Sequence, residues 1–291
     1  MLVKKTNKLF LVGLLLVFLF SGFFSVRADS ITEDRNDKEI KIGIALSGGA
    51  AWGLAHIGVL EVLEENGITP DYIAGTSAGA AVGSLYASGK SPGEMATFAE
   101  ELNWLNLIRP VISDVSIFDS RRIREFMEEK LKVNDFTDLG TGFTAVATDL
   151  GSGDIVYLDR GDLSFAVMAS ATIPVLFEPV SYGEKMLVDG GLSNNLPLDV
   201  LEREEMDVII GVDVNSSFSI DVFPRNLIEV GIRSYNIMQR YHVNPEKADV
   251  LIRPNLEGIR GMDFSEHKQI IATGRQAAEE ALPEIEALIE K

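Results

Sequence analysis

Cysteine is absent from this chain of 291 residues, which removes a disulfide framework, a thiolate metal site and a cysteine nucleophile from consideration. Histidine occurs only at His56, His242 and His267. No spacing of these with carboxylates suits zinc, and the scattered acids form no calcium loop, so neither metal nor cofactor is expected. Positive charge is scarce as well: 26 Lys and Arg stand against 44 Asp and Glu, a formal net charge of −18. Lys4, Lys5, Lys8 and Arg27 all precede the first acid, so beyond Ala28 the charge deepens by four, from −18 to −22. So acidic a body argues against nucleic acid as a partner and offers no general attraction to anionic membranes. The surplus reads as a solvated surface.

What is present begins with an uncharged run, Leu9–Val26, behind the three lysines and ending in Val26-Arg27-Ala28. A basic head, an apolar middle and small residues before the cut predict a secretory signal peptide over 1–28. The run has spanning length, so an uncleaved N-terminal membrane anchor is the rival. The expected localisation is therefore periplasmic or secreted, with anchoring as the alternative. Residues 29–39 are polar and read as a flexible leader. The remaining 40–291 form one large domain, with 46% apolar residues in the chain and no composition shift that calls for a second.

Within that domain, apolar and β-branched runs alternate with helical patterns. Strands are predicted at Lys41–Leu46, Tyr72–Ala74, Phe143–Thr148, Ile155–Leu158, Lys185–Val188, Val208–Val214 and Val250–Arg253. Helices are predicted over Leu54–Asn66, Ala78–Ser88, Pro92–Asn103 with Ser91 as cap, and from Asp119 or Ser120 to Leu131. Further helices follow at Leu163–Ala171, Pro197–Glu205, Asn226–Tyr241 and Ser265–Glu290, the last broken at Pro283. This alternation implies an α/β fold with a mainly parallel sheet covered on both faces.

Three motifs fall at strand ends, where open α/β sheets build their sites. Gly75-Thr76-Ser77-Ala78-Gly79 joins a strand directly to a helix of small residues. Such a bend strains its central residue and requires glycine at Gly75 and Gly79, while holding the Ser77 hydroxyl over a helix N-terminus. Gly48-Gly49-Ala50-Ala51-Trp52-Gly53 is a run of small residues at another helix start, able to turn backbone N–H groups on an oxyanion. It lacks both the dinucleotide fingerprint and GK[ST], so it does not suit nucleotide phosphate. Asp189-Gly190-Gly191 ends a strand with an acid and lets the chain turn closely behind it. A carboxylate can take a serine proton if it is partly desolvated and within reach.

The order of these motifs and their flanks (HIGVLEVLEENGI, IAGTSAGAAVGSLYASG, SATIPVLFEPV before LVDGGLSNNLP) resembles the patatin-like phospholipases, strongly over 40–197 and more weakly beyond. The resemblance implies a three-layer α/β/α fold of patatin type. It implies a lipid acyl hydrolase of phospholipase A or esterase kind, in lipid catabolism, working through an acyl-enzyme on a Ser–Asp dyad. It further implies Ser77 as nucleophile, Asp189 as proton acceptor, and Gly48, Gly49 and Ala50 as the oxyanion hole. Gly53, Gly75, Gly79, Gly190 and Gly191 support these motifs. The partner is then a lipid or acyl ester, with transient contact to a membrane or micelle surface. Two residues depart from the family pattern: Ala50 stands where a third glycine is usual, and Trp52 where Arg or Lys is usual. Trp52 is read as an apolar lip.

Other readings remain. His267 follows the serine and the acid in the order of a Ser–Asp–His triad, so an α/β-hydrolase esterase is the enzymatic alternative. A non-catalytic exported lipid-binding module is the other. His56 reads as structural, His242 as a helix-end cation, Asp149 and Asp154 as hairpin acids, and Phe165–Met168 as core.

Overall fold

The structure is a computed structural model and describes residues 40–216 and 227–290. The signal segment 1–28, the leader 29–39 and the expected helix start at Asn226 lie outside the described residues. The strands are β1 (Ile42–Leu46), β2 (Tyr72–Thr76), β3 (Gly142–Asp149), β4 (Ile155–Leu158), β5 (Val180–Tyr182), β6 (Lys185–Asp189), β7 (Val208–Val212) and β8 (Val250–Ile252). They form one sheet in the order β5-β6-β3-β2-β1-β7-β8, with β4 paired to β3 off that path. The run from β3 to β8 is parallel, whereas β4, β5 and β6 attach antiparallel at one edge. β1 lies in the middle, buried on both faces, which is why it reads as a continuous apolar run.

The helices are α1 (Ala55–Glu65), α2 (Ala78–Ala87), α3 (Pro92–Glu101), α4 (Trp104–Leu107), α5 (Arg121–Lys130), α6 (Leu163–Ser170), α7 (Leu198–Arg203), α8 (Leu227–Arg240) and α9 (His267–Ile289). Alternation within β1 divides the core. Ile42, Ile44 and Leu46 join the large layer built on α1, α2 and α9, while Ala45 joins Leu198, Val200 and Leu201 of α7 on the other face. The result is three layers, α/β/α, as the alternation implied. Glycines decide how closely layers approach: a Cβ at Gly58 of α1 or Gly274 of α9 would collide with the backbone of the other helix.

Local chemistry sets most ends. Ser91 and Glu94 form a capping box at α3, with Pro92 in the first turn. At α5 the acceptor is Asp119, whose Oδ1 takes the Arg121 N–H at 2.9 Å, and Ser120 makes no cap bond. The expected break at Pro283 does not occur. α9 runs through it, because the proline ring faces solvent while Ala278 and Ile285 on the packed side are fully buried. Burial of that stripe outweighs the missing N–H and the clash a proline usually brings. The edge strand β5 and the single turn α4 were not foreseen: β5 is mostly exposed and carries no apolar run, and α4 is one turn, too short to show a period.

Candidate active site

Ser77 follows β2 and sits at φ 54°, ψ −119°, a strained conformation for a residue with a side chain. Its two flanking glycines are sterically compelled. A Cβ at Gly75 would lie 2.6 Å from the Gly79 carbonyl oxygen, and one at Gly79 would collide with the Leu46 carbonyl at the end of β1. The Ser77 N–H donates to Ser170 Oγ at 2.9 Å, and that hydroxyl donates to the Val146 carbonyl of β3 at 2.6 Å. The bend is thus pinned to the neighbouring strand, with the side chain at the N-terminus of α2.

Asp189 ends β6, opposite Ala147 of β3. One strand, β3, therefore separates the serine strand from the acid strand. Asp189 is fully buried; its Oδ1 accepts the Gly191 N–H at 2.9 Å and its backbone carbonyl accepts from Thr148 Oγ1 at 3.0 Å. Burial pushes its carboxyl up to about 6, and the adjacent Ser77 and Tyr235 hydroxyls and the Gly191 N–H pull the other way. Neither hydroxyl completes a hydrogen bond to Oδ2, which has no partner among the described residues. In an unliganded site such contacts are commonly long and tighten around substrate. Gly190 and Gly191 carry no Cβ for a reason: one at Gly190 would strike the Val146 carbonyl, one at Gly191 would crowd Tyr235 and Gln239.

The glycine loop passes between these two ends. Gly48 does not offer a free donor, since its N–H bonds the Asn195 carbonyl at 3.2 Å and its own carbonyl accepts from Asn215 Nδ2 at 2.7 Å. The N–H groups of Ala51 and Trp52 are also engaged. Those of Gly49 and Ala50 have no acceptor among the described residues. Ala50 adopts φ 49°, the left-handed region that favours glycine, so its Cβ is carried at some backbone cost. Gly53 packs so tightly on Ala78 that a Cβ there would collide with the alanine methyl. Trp52 is buried, donates from Nε1 to the Ile259 carbonyl at 3.0 Å and covers Gly261. It clamps the 259–261 segment and, although it also borders the recess at Ser77, it is buried there and forms no lip toward a membrane.

Two voids meet at Ser77. One is a recess of about 20 Å³ bordered by Gly49, Ala50, Tyr235 and Gln239, room for about one water. The other is an apolar cavity of about 140 Å³ between α2, α3 and α5. Seven buried side-chain polar atoms lack a hydrogen-bond partner among the described residues, and four belong to Asp189, Asn195 and Tyr235. Unmatched buried polar atoms are costly, and their concentration here marks a place built to meet something else.

Sequence reading missed Tyr235, Gln239 and Asn195. Tyr235 and Gln239 lie four apart on α8, one helical turn, which was the available signal. None of the three histidines hydrogen-bonds to Ser77 or Asp189. His56 is buried, its Nε2 donates to the Ser47 carbonyl at 2.8 Å, and burial lowers its basicity to about 4, so it supports the loop as a neutral ring. His267 Nδ1 contacts the Phe264 carbonyl, and His242 lines an outer surface pocket beside Ser193. Asp149 accepts from Gly151 and Ser152 in the β3–β4 hairpin, while Phe165 packs against Tyr182 and Met168 lies in the core.

Residues 44–202 match the family model for the patatin-like phospholipase domain. An uncharacterised NTE family protein of Mycobacterium tuberculosis is 35% identical over 186 residues, which is 63% of this chain and 51% of that protein. Patatin-like phospholipase domain-containing protein 6 of Mus musculus is 29% identical over 218 residues, 70% of this chain and 16% of the relative. The chain thus spans about half, or less, of the length of these curated relatives. Among solved structures, VipD from Legionella pneumophila superposes with a TM-score of 0.61 at 14% identity, over 87% of this chain and 67% of that one, a likeness of fold. With more than half of its length matched by the family model, this chain belongs to the patatin-like phospholipase family.

Proposed function

We propose that the protein hydrolyses acyl esters of lipids, with Ser77 as nucleophile and Asp189 as its base. The observation that carries this reading is the meeting of a strained serine, a buried carboxylate and two unengaged loop N–H groups beside an apolar cavity. The acyl chain enters the cavity and its carbonyl carbon comes to rest against Ser77 Oγ. Asp189 Oδ2 accepts the hydroxyl proton as Oγ attacks. The tetrahedral oxyanion takes the recess, held by the N–H groups of Gly49 and Ala50. A preorganised donor of this kind is worth about 3–4 kcal/mol of barrier. The proton passes to the leaving alcohol or lysolipid, and a water deprotonated by the same carboxylate then frees the acid.

Contact with a lipid aggregate fits the rim of the site. Val175 is 63% exposed at φ 72°, an unusual conformation for a β-branched residue, between Ile173 and Phe177 of the cavity wall. Exposed Ile112 and Val115 lie in the segment that pairs with this loop. Export by the 1–28 segment belongs to the same reading, and mass analysis of the mature N-terminus after expression tests it: a chain beginning after Ala28 supports cleavage, an intact one supports the anchor.

The function is tested by a fluorophosphonate label and a panel of phospholipid, galactolipid, triacylglycerol and thioester substrates. Labelling and turnover are expected, with both falling at least a thousandfold in Ser77→Ala and turnover alike in Asp189→Asn. A protein that neither labels nor turns over any ester would be a binding module instead. Because the base must be ionised, kcat/KM is expected to fall as pH drops through about 6. Loss of activity in His267→Ala, with a histidine-like limb that vanishes, would favour the triad.

A further inference from the structure

We infer that Lys130 is the end wall of the apolar cavity and limits the acyl chain to about six to eight carbons. This rests on the hydrolase reading of Ser77 but concerns a different part of the molecule. Three helices each give the cavity a whole stripe at i, i+3, i+4 and i+7, with Ile57 of α1 and Leu107 of α4 adding single residues: Ala78 to Leu85 on α2, Met95 to Leu102 from α3, and Ile123 to Lys130 on α5. On α5 (RRIREFMEEK) the only apolar residues are Ile123, Phe126 and Met127, and all three face the cavity. An otherwise highly charged helix therefore spends its whole apolar stripe on this void.

The two ends differ in chemistry. At the serine end, Ile123 packs with Phe177 beneath Ile173, which borders both voids. At the other end the stripe of α5 finishes in Lys130, the one charged residue in the lining. Its side chain is 13% exposed, its Nζ lies 2.9 Å from Glu101 Oε2 and 3.1 Å from Glu129 Oε1, and it sits over the rings of Phe98 and Phe126 at 5.1 and 5.8 Å. Lys132 fastens this end beside the C-terminus of α2 through a 2.6 Å bond to the Gly89 carbonyl. A methyl terminus reaching Lys130 meets an ammonium that its two carboxylates and two rings hold in place. Further methylenes would have to break that ion pair or lie against a charge.

Length and volume agree on the limit. The α2 stripe runs seven helical rises from Ala78 to Leu85, roughly 10 Å. With C–C bonds of about 1.5 Å, an extended chain advances roughly 1.25 Å per carbon and fills that span with about eight. The volume of about 140 Å³ is close to that of a ~150 Å³ apolar cavity that takes one benzene, six carbons.

The test measures kcat/KM on p-nitrophenyl esters from C2 to C16, and binding of fatty acids of the same lengths to the Ser77→Ala protein. In the wild type, kcat/KM should climb about fourfold per methylene up to C6–C8 and then stop climbing. Lys130→Ala should move the optimum four or more carbons longer. Ala81→Phe, which fills the middle of the tube, should move it to C4 or shorter and keeps the test decisive if Lys130→Ala fails to fold. A wild-type optimum at C16, or one optimum shared by all folded variants, overturns the inference even when Ser77→Ala abolishes turnover. If no ester is hydrolysed, the hydrolase reading fails, and the binding arm still decides: a length cutoff at C6–C8 supports the end wall, and length-independent binding overturns it.

Discussion

Ser77 stands just past the end of a strand and Asp189 at the end of one, each has a glycine within the next two residues, and each is destabilised, but the destabilisation is stored differently. At Ser77 it lies in the backbone, at φ 54°, and the side chain stays next to open space. At Asp189 the backbone is relaxed, at φ −49° and ψ 133°, and the cost lies in burying a carboxylate. Strain is local and independent of pH, whereas desolvation depends on what packs over the group and on its charge. The pair shows how an active site can hold a nucleophile by geometry and a base by environment.

The comparison can be broken most severely through the glycines behind each residue. Gly79→Ala and Gly190→Ala would each drive a Cβ into a strand carbonyl, Leu46 and Val146 respectively. Both should cost about 3 kcal/mol or more in urea unfolding, since strand backbone has to move. Equal tolerance of alanine at either position would mean the turns are not sterically compelled.

Next in size is Asp189→Asn. The folded carboxyl is raised to about 6 from 3.8, so the native state binds the proton more tightly and loses stability as pH rises between those values. The amide variant escapes this. It should be more stable than wild type by about 3 kcal/mol at pH 8, the advantage shrinking to about 0.5 kcal/mol at pH 4 and disappearing below the unfolded pKa of 3.8. Denaturant melts across that range decide it. Ser77→Gly should gain only about 1 kcal/mol at low pH, where Asp189 is protonated and only backbone strain is relieved. The gain should shrink as pH rises, because the lost hydroxyl no longer favours the carboxylate. No gain at low pH, where Asp189 is protonated, would erase the distinction. Smallest is Tyr235→Phe. The hydroxyl lowers the Asp189 pKa, so its removal should shift the acid limb of kcat/KM upward by a few tenths of a unit. A downward shift would remove Tyr235 from the environment of the base.

The strand–helix alternation was legible because most strands here are buried runs and most helices carry an apolar stripe. The short strands β4 and β8 were legible as apolar runs, whereas β5, mostly exposed, and α4, a single turn, offered neither a buried run nor a period. Pro283 misled because propensity is a local quantity, while the buried stripe through Ala278 and Ile285 is a tertiary one.

The sequence alone determined the bend at Ser77, since two glycines, a preceding strand and a following helix leave that residue one way to turn. It also determined the α5 stripe, written in three apolar residues among charges. Only the tertiary structure decided which loop N–H groups remain free, that Trp52 faces inward, and how basic Asp189 becomes. Those depend on Asn195, on the 259–261 segment and on Tyr235 of α8, all distant in sequence. Steric limits act between neighbours along the chain, whereas desolvation and hydrogen-bond competition act between whatever folding brings together.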